Sequence, residues 1–207
     1  MGSTISTLTG RTAHLLGLPK TFELVMLGLD DAGKTSFYFR VTRLHELPRG
    51  VLPTTISTMG WNIDNFVYGR HRITIWDFGG SRTIRTLSRS YLWNAHAFIF
   101  VLDAASPTRF AEAKQELMWL WQRTEKQHPV LVLANKIDLY GAEKLNVIED
   151  ALDIETMASS GRLIALKGVS AITGEGVDEA LEWSVENISH ELIAETEQAK
   201  KAVRARN

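Results

Sequence analysis

Residues 22–36 read FELVMLGLDDAGKTS, and this stretch decides the fold. Its apolar run ends at Gly28, and the tripeptide GKT follows at 33–35. That spacing fits G-x-x-x-x-G-K-[ST], a loop whose backbone amides cradle phosphate groups. Such a loop belongs between a buried strand and a helix, and the chain has no Gly or Pro over 35–47. We therefore expect a strand, a phosphate-binding loop and a first helix over 35–47.

Each residue type in this loop suits a nucleotide phosphate. Gly28 and Gly33 allow the backbone to turn tightly and to approach the phosphates closely. The amides of residues 31–35 would point inward at the start of a helix, where the helix dipole favours an anion. Lys34 would place its charge on the β- and γ-phosphates, and the Thr35 hydroxyl would hold Mg²⁺. The alternative is a strand–turn–helix corner that uses glycine only for its geometry.

The composition limits the class of protein. The 207 residues suit one domain with extensions, and 44% hydrophobic residues suit an ordinary core. A net charge of −1 argues against a general nucleic-acid binder. The lack of cysteine excludes a disulfide framework, a cysteine-based zinc site and palmitoylation or prenylation of the chain. The longest apolar stretch, 95–102, is too short to span a bilayer, and we expect no secretory signal.

Both ends of the chain differ from its centre. The first residues, MGSTIS, fit the N-myristoylation pattern with Gly2 as acceptor, and a plain Met-Gly start is the alternative. Scattered apolar residues predict a weak amphipathic segment over 1–20, which would have to assist a single marginal myristoyl anchor. Residues 194–207 are polar and partly basic, which predicts a solvated tail or helix extension rather than a membrane or partner patch. The globular domain then spans 21–193.

Hydrophobic periodicity predicts alternating strands and helices after the loop. Segments 61–68 and 72–76, joined at Gly69-Arg70, indicate an antiparallel hairpin. The remaining elements are buried strands at 98–103, 130–134 and 163–166, a helix capped by Ser106 that ends near Lys126, a helix over 145–157, and a last helix with apolar residues at 177, 181, 185, 188 and 192. This order predicts an α/β fold with a mostly parallel six-stranded sheet, one antiparallel edge strand and helices on both faces.

Three polar motifs follow predicted strands. The first, DFGG at 77–80, is a D-x-x-G sequence. In a phosphate-loop protein Asp77 would hold Mg²⁺ through water, and the Gly80 amide would meet the γ-phosphate. The alternative is a simple turn. The others are NKID at 135–138, an N-K-x-D sequence, and Ser170-Ala171.

The N-K-x-D sequence selects the base. The Asp138 carboxylate can accept two N–H bonds from the guanine edge, whereas adenine would leave its lone pairs unpaired. Asn135 would meet the ring and brace the loop, and the stem of Lys136 would cover the base face. The Ala171 amide would reach the guanine O6. The four motifs together therefore predict a guanine-nucleotide site.

The sequence resembles the Arf/Arf-like family of small GTPases from Gly2 to about Ile193. The resemblance is carried by GLD at 28–30, GWN at 60–62 and the W-D-x-G-G sequence at 76–80. It implies a P-loop NTPase G-domain that binds GTP or GDP with Mg²⁺. It also implies a molecular switch in membrane traffic or organelle targeting.

The resemblance further implies roles for single residues. Trp61, Trp76 and Tyr91 match an aromatic triad that receives effectors. Thr58 matches the switch I threonine that binds Mg²⁺ and the γ-phosphate, with Thr54 and Thr55 as competitors. The expected Mg²⁺ ligands are Thr35, Thr58 and, through water, Asp77, and the expected catalytic groups are Lys34, Gly80 and the residue at position 81. The expected nucleotide contacts are Gly28, Asp30, Asp31, Ala32, Gly33, Lys34, Thr35, Ser36, Thr58, Gly80, Asn135, Lys136, Asp138, Ser170 and Ala171.

Two departures from the family pattern matter. The family usually places a glutamine directly after W-D-x-G-G, where it orients the attacking water, and here that residue is Ser81. Serine is too short to hold both the water and the transition state, so we predict slow intrinsic GTP hydrolysis. The segment before Thr58 is also longer than usual, so we expect switch I to sit differently in the GDP state.

Ser81 keeps a second interpretation open, a GTP-binding scaffold with little turnover. A nucleotide kinase is disfavoured by the N-K-x-D sequence.

The resemblance also implies partners and a location. The partners are an exchange factor, a GTPase-activating protein, effectors at the switch and interswitch face, and a membrane through the N-terminus, with no nucleic acid. The implied location is the cytoplasm, with reversible association with the cytosolic face of endomembranes such as the Golgi.

Overall fold

Six strands form one sheet in the order β2-β3-β1-β4-β5-β6. The computed structural model describes residues 21–43, 58, 60–81, 92–93, 95–125 and 128–188. The strands are β1 (Thr21–Gly28), β2 (Trp61–Tyr68), β3 (His71–Phe78), β4 (Ala97–Asp103), β5 (Val130–Asn135) and β6 (Ile164–Val169). Only β2, at the edge, runs antiparallel to its neighbour, and the other four pairings are parallel. The predicted mostly parallel sheet with one antiparallel edge strand is confirmed.

Helices cover both faces of this sheet, as predicted. They are α1 (Lys34–Thr42), α2 (Phe110–Arg123), α3 (Leu145–Leu152), α4 (Ile154–Ala158) and α5, described over residues 177–188. Strand β4 shows why two layers are needed, because its side chains are apolar on both faces. Phe98 and Phe100 belong to the core beneath α2, α3 and α4, whereas Ile99 and Val101 belong to the core beneath α1 and α5. Such doubly buried strands are typical of parallel sheets.

The first helix ends earlier than its sequence pattern predicts, and the helix predicted over 145–157 is interrupted. The helix predicted to reach residue 47 leaves helical geometry at Arg43, where φ is −121°. Its last residues, Val41 and Thr42, are β-branched, and the Thr42 hydroxyl donates to the Tyr38 carbonyl. The helix predicted over 145–157 is divided by Asp153, whose φ of 55° is left-handed. The prediction of one continuous helix there was wrong.

Ser106 does not cap the helix that follows it. Its hydroxyl donates to Asp103 Oδ2 at 3.1 Å, and the backbone amide of Ala105 donates to Asp103 Oδ1 at 2.8 Å. Pro107–Arg109 then form a 3₁₀ turn before α2 begins. The predicted cap was wrong because the α-helix begins only at Phe110, with Arg109 at its N-cap position, so Ser106 precedes the 3₁₀ turn and its side chain accepts from no helix amide.

The sheet brings all the sequence motifs to one edge. Strands β1, β3, β4, β5 and β6 are parallel, so the loops at their carboxyl ends lie side by side. Gly28 is required at the end of β1, because a Cβ there would lie 2.1 Å from the Val101 carbonyl oxygen of β4. Within the described ranges, no helix is both long and apolar enough to cross a membrane.

Candidate nucleotide-binding site

A cavity of about 370 Å³ opens at this edge of the sheet. Four separate parts of the chain form its wall: the loop after β1, Thr58, the turn after β3, and Lys136 after β5. Its lining residues are Asp30, Asp31, Gly33, Lys34, Thr35, Ser36, Thr58, Gly79, Gly80, Ser81 and Lys136. Most of the residues expected to contact phosphate therefore share one cavity.

The loop after β1 folds back on itself around Lys34. The Lys34 side chain is buried, and its Nζ donates to the Leu29 carbonyl at 2.6 Å. Asp31 and Gly33 both have positive φ, 58° and 84°, which allows the tight turn into α1. Lys34 lines the cavity, where its positive charge would attract a negatively charged ligand.

Three side chains meet at the floor of the cavity. Thr35 Oγ1 donates to Asp77 Oδ2 at 2.8 Å, and Thr35 and Thr58 are joined through their hydroxyls at 2.8 Å. Because a hydroxyl has one hydrogen, Thr58 must be the donor in that second bond. Of the three candidate threonines in switch I, Thr58 is the one within the described residues, while Thr54 and Thr55 lie outside them.

Asp77 is fully buried, and only one of its two carboxylate oxygens has a hydrogen-bond partner among the described residues. Its Oδ2 also accepts from Asn62 Nδ2 at 3.2 Å, whereas no described residue hydrogen-bonds to Oδ1. Burial raises the pKa of Asp77, although the hydrogen bond from Thr35, the charge of Lys34 and the hydrogen bond from Asn62 oppose the shift. An orphaned carboxylate oxygen beside two hydroxyls fits a hydrated Mg²⁺, whose water would donate to it.

The two glycines of the D-x-x-G turn are required by close backbone contacts. A Cβ at Gly79 would lie 2.1 Å from the Thr58 carbonyl oxygen, and a Cβ at Gly80 would lie 2.1 Å from the Asp30 backbone nitrogen. The Gly79 amide donates to the Gly60 carbonyl at 2.9 Å. The turn is thus pressed between the entry to β2 and the phosphate loop, with the exposed Ser81 directly after it.

Asn135 ties the phosphate loop to the loop after β6. Its side chain is buried; Nδ2 donates to the Ala32 carbonyl at 2.9 Å, and Oδ1 accepts from the Ala171 amide at 3.0 Å. Gly33 is needed beneath it, because a Cβ there would lie 2.2 Å from Asn135 Nδ2. The Ala171 amide, which we expected to reach the guanine O6, is therefore already engaged. It can reach a base only by sharing its hydrogen or by a small shift of the loop.

The other residues expected at the base belong to the loops after β5 and β6, which Asn135 and Ala171 join. Lys136 has a φ of 67°, and its Nζ forms an ion pair with Asp103 Oδ2 at 2.7 Å. Asp138 is exposed. Ser170 is buried, and its hydroxyl accepts from the Thr173 amide at 3.0 Å, which shapes the loop after β6.

Sequence reasoning missed two arginines that hold these loops. Arg40 of α1 is buried; its Nε donates to the Ala171 carbonyl at 2.8 Å, and its Nη2 donates to the Ile172 carbonyl. Arg109 bonds to Asp30 of the phosphate loop, and this hydrogen bond is the main cause that raises the pKa of the Arg109 guanidinium. Neither arginine belongs to a motif, and each partner lies 79 or more residues away, so no local signal could have found them.

Two of the three expected effector residues lie on one face of the hairpin. Trp61 and Trp76 both contact Phe78, with ring centroids 6.5 and 6.2 Å away. Trp61 is 46% exposed, whereas Trp76 is partly buried and donates from Nε1 to Glu23 at 2.7 Å. Tyr91 and the expected lipidation residue Gly2 lie outside the described residues.

Comparisons with known proteins agree with this geometry. The model of the ADP-ribosylation factor family matches residues 8–188. The chain is 35% identical over 184 residues to ADP-ribosylation factor-like protein 1 of Drosophila melanogaster, covering 88% of this chain and 95% of that protein. It is 36% identical over 165 residues to the Caenorhabditis elegans protein of the same name, covering 79% and 87%.

A solved structure gives the same result. The structure of the Arl6 BBS3 small GTPase from Trypanosoma brucei, with the bound nucleotide analogue GppNp, has a TM-score of 0.73 and 27% identity, and the match covers 83% of this chain and 99% of that one. A family match over most of the chain and relatives above 30% identity lead to one conclusion. The chain belongs to the ADP-ribosylation factor family of small GTP-binding proteins.

Proposed function

We propose that this protein is an Arf-like GDP/GTP switch that binds its nucleotide together with Mg²⁺ in the cavity described above. One observation carries the proposal: the Thr35 hydroxyl links the Thr58 hydroxyl to Asp77 Oδ2, and Asp77 Oδ1 has no partner among the described residues. Carboxylate and hydroxyl oxygens suit Mg²⁺, which usually keeps several waters and binds with substrate phosphates. Mg²⁺ would neutralise charge on the β- and γ-phosphates.

The same contacts suggest how the switch works. Thr58 precedes the hairpin and Gly80 follows it, so a γ-phosphate bound to Thr58 and to the Gly80 amide would hold both ends of the β2–β3 unit. Loss of the γ-phosphate would remove both contacts and release these segments. Gly79 lies against the backbone of Thr58, and Gly80 lies against the backbone of Asp30, so the D-x-x-G turn is close to both segments.

Guanine selectivity is assigned to Asp138, with Asn135, Lys136, Ser170 and Ala171 shaping the base site. A competition experiment with a fluorescent guanine nucleotide tests this assignment. We expect GTP and GDP to displace the probe and ATP to fail. The Asp138→Asn variant replaces one acceptor by a donor, so it should prefer xanthine nucleotides, which carry a carbonyl in place of the 2-amino group. Equal displacement by ATP and GTP would contradict the proposal.

The second candidate is a GTP-binding scaffold that seldom hydrolyses its nucleotide. Ser81 is the observation that favours it, because an exposed serine on the cavity wall cannot span the distance that a glutamine amide covers. The two candidates share the binding site and differ only in turnover. Multiple-turnover hydrolysis, with and without candidate activating proteins, separates them.

Membrane association belongs to the same proposal. Gly2 acylation, with the amphipathic segment over 1–20, would attach the protein to the cytosolic face of endomembranes such as the Golgi, where it would act in membrane traffic. Exchange factors, activating proteins and effectors would meet it there, with Trp61 and its exposed neighbours Ile63 and Val67 on the partner-facing hairpin. Liposome flotation of the acylated protein tests this: the GTP-analogue form should float more than the GDP form. Equal flotation would argue against it.

A further inference from the structure

Arg109, the last residue of the 3₁₀ turn before α2, bonds to a single residue of the phosphate loop through two of its nitrogens. Its Nη1 donates to the Asp30 carbonyl at 2.8 Å, and its Nη2 donates to Asp30 Oδ1 at 2.7 Å. The guanidinium also meets Glu112 at 3.0 Å, one turn further along α2. A planar guanidinium that grips a carbonyl and a carboxylate together fixes the direction of the Asp30 side chain.

Asp30 occupies a sensitive position in the cavity. It lines the wall of the phosphate cavity, and it also lines the small hollow beside α2 that contains Arg109. Its backbone nitrogen is the nearest atom to a Cβ placed on Gly80, at 2.1 Å. Asp30 therefore lies against the turn whose amide is assigned to the γ-phosphate. A carboxylate at that end of the cavity repels the terminal phosphate of a triphosphate more than it repels a diphosphate.

We propose that Arg109 is a positioning residue that sets the preference of this site for GTP over GDP. It draws the Asp30 carboxylate toward α2 and balances its charge, so that the γ-phosphate meets less repulsion. The inference depends on the proposed function, because it presumes that the cavity holds a guanine nucleotide. It goes beyond that function by assigning nucleotide-state preference to a residue outside the four motifs.

The experiment compares dissociation constants of purified variants for fluorescent GDP and for a fluorescent non-hydrolysable GTP analogue. In Arg109→Gln, the ratio of GTP to GDP affinity should fall about threefold to tenfold, as expected for one partly exposed unit charge a few ångströms from the ligand. Arg109→Lys keeps the charge but loses the planar guanidinium that bonds to Asp30 through two nitrogens. Its ratio of GTP to GDP affinity should therefore lie between those of Arg109→Gln and the wild type. The double variant Arg109→Gln with Asp30→Asn should restore the wild-type ratio.

Lys114 of α2 provides a matched control. It forms an ion pair with Asp153, away from the cavity, so Lys114→Gln removes the same charge from the helix that directly follows Arg109. The ratio of affinities should stay unchanged in that variant. Thermal unfolding, followed by circular dichroism, reports any general loss of stability.

The outcomes separate the possible failures. If wild-type protein binds neither guanine nucleotide, the proposed function fails. If wild type binds both and Arg109→Gln weakens both equally, Arg109 is only a structural brace and the inference is overturned. If the double variant Arg109→Gln with Asp30→Asn does not restore the wild-type ratio of GTP to GDP affinity, the inference is also overturned, because the Asp30 charge would then not be the cause of the change.

Discussion

At the residue scale, Asp77 has a feature that fits the proposed Mg²⁺ site and is unusual in an ordinary core. Its side chain is fully buried, and one of its oxygens has no hydrogen-bond partner among the described residues. Such an oxygen costs about 1–3 kcal/mol, and more when it is charged. A structure selected only for stability would avoid this cost. The arrangement is reasonable if Mg²⁺ and its water supply the missing interaction.

We therefore expect Asp77→Asn to raise the stability of the Mg²⁺-free protein while weakening Mg²⁺-dependent GTP binding. Burial raises the pKa of Asp77 in the folded state above that of the unfolded chain. The protonated carboxyl favours folding below the unfolded-state pKa, and that advantage is lost as pH rises through the folded-state pKa. The melting temperature of the variant in EDTA should exceed that of wild type by an amount that grows with pH.

Equal melting temperatures at all pH values would contradict this expectation. Thr74→Val is a control for the measurement, because it removes a buried hydroxyl from the same strand without touching the cavity. Its effect on the melting temperature should not depend on pH, since neither threonine nor valine titrates.

Sequence could predict the motif residues of this site but not all of their partners. Lys34, Thr35 and Asp77 follow from spacing, because phosphate and Mg²⁺ chemistry demands those residue types at fixed offsets. Asn62, which donates to Asp77, lies across the hairpin and is determined by strand register. Arg109 reaches Asp30 across 79 residues, and only the tertiary fold brings them together.

At the element scale, α1 supports the loop that is expected to hold the base. Arg40 reaches from this helix to two carbonyls of the loop after β6, and Asn135 reaches the same loop from β5. The loop after β6, to which we assign the base, is thus held by α1 and by β5. Movement of α1 would be transmitted directly to the nucleotide base.

Arg40→Lys should therefore speed GDP release. Lysine keeps the charge but cannot donate to both carbonyls, so at least one buried acceptor loses its partner and GDP dissociation should rise about tenfold. Arg43→Lys is the matched control, because Arg43 ends the same helix and stacks on Phe39 at 5.1 Å instead of reaching the base loop. Stopped-flow release of fluorescent GDP measures both variants. An unchanged release rate in Arg40→Lys would show that the contact does not hold the loop.

Element boundaries were less predictable than element types. The α2 pattern predicted an end near Lys126, but the helix ends at Arg123. Arg162 explains this: it is buried, stacks on Trp121 and donates to the carbonyl of Trp121 and the hydroxyl of Thr124. Burial lowers the pKa of Arg162 to about 10, so it still carries its charge at neutral pH. A residue 38 positions away ends this helix, and local periodicity holds no sign of it.

At the scale of the whole molecule, the sheet order explains why four separate motifs lie at one edge of the sheet. Strand β1 lies between β3 and β4, so the phosphate loop lies between the D-x-x-G turn and the loops that carry Asp103 and Asn135. Alternating strands and helices made a mostly parallel sheet predictable from sequence, since parallel strands require helical crossovers, but they did not predict the strand order. The position of switch I was not predictable in the same way. The sequence before Thr58 is rich in turn-forming and hydroxyl residues and shows neither helical nor strand periodicity.

We propose that the protein is a switch that binds GTP tightly and hydrolyses it slowly, because Ser81 replaces a water-orienting glutamine. Single-turnover hydrolysis of GTP, measured on wild type and on Ser81→Gln after Mg²⁺ is added to preloaded protein, tests it most directly. We expect a slow wild-type rate and a rate at least about tenfold higher in Ser81→Gln, alone or with an activating protein. A wild-type rate equal to that of a glutamine-containing relative, with no gain in Ser81→Gln, would contradict it.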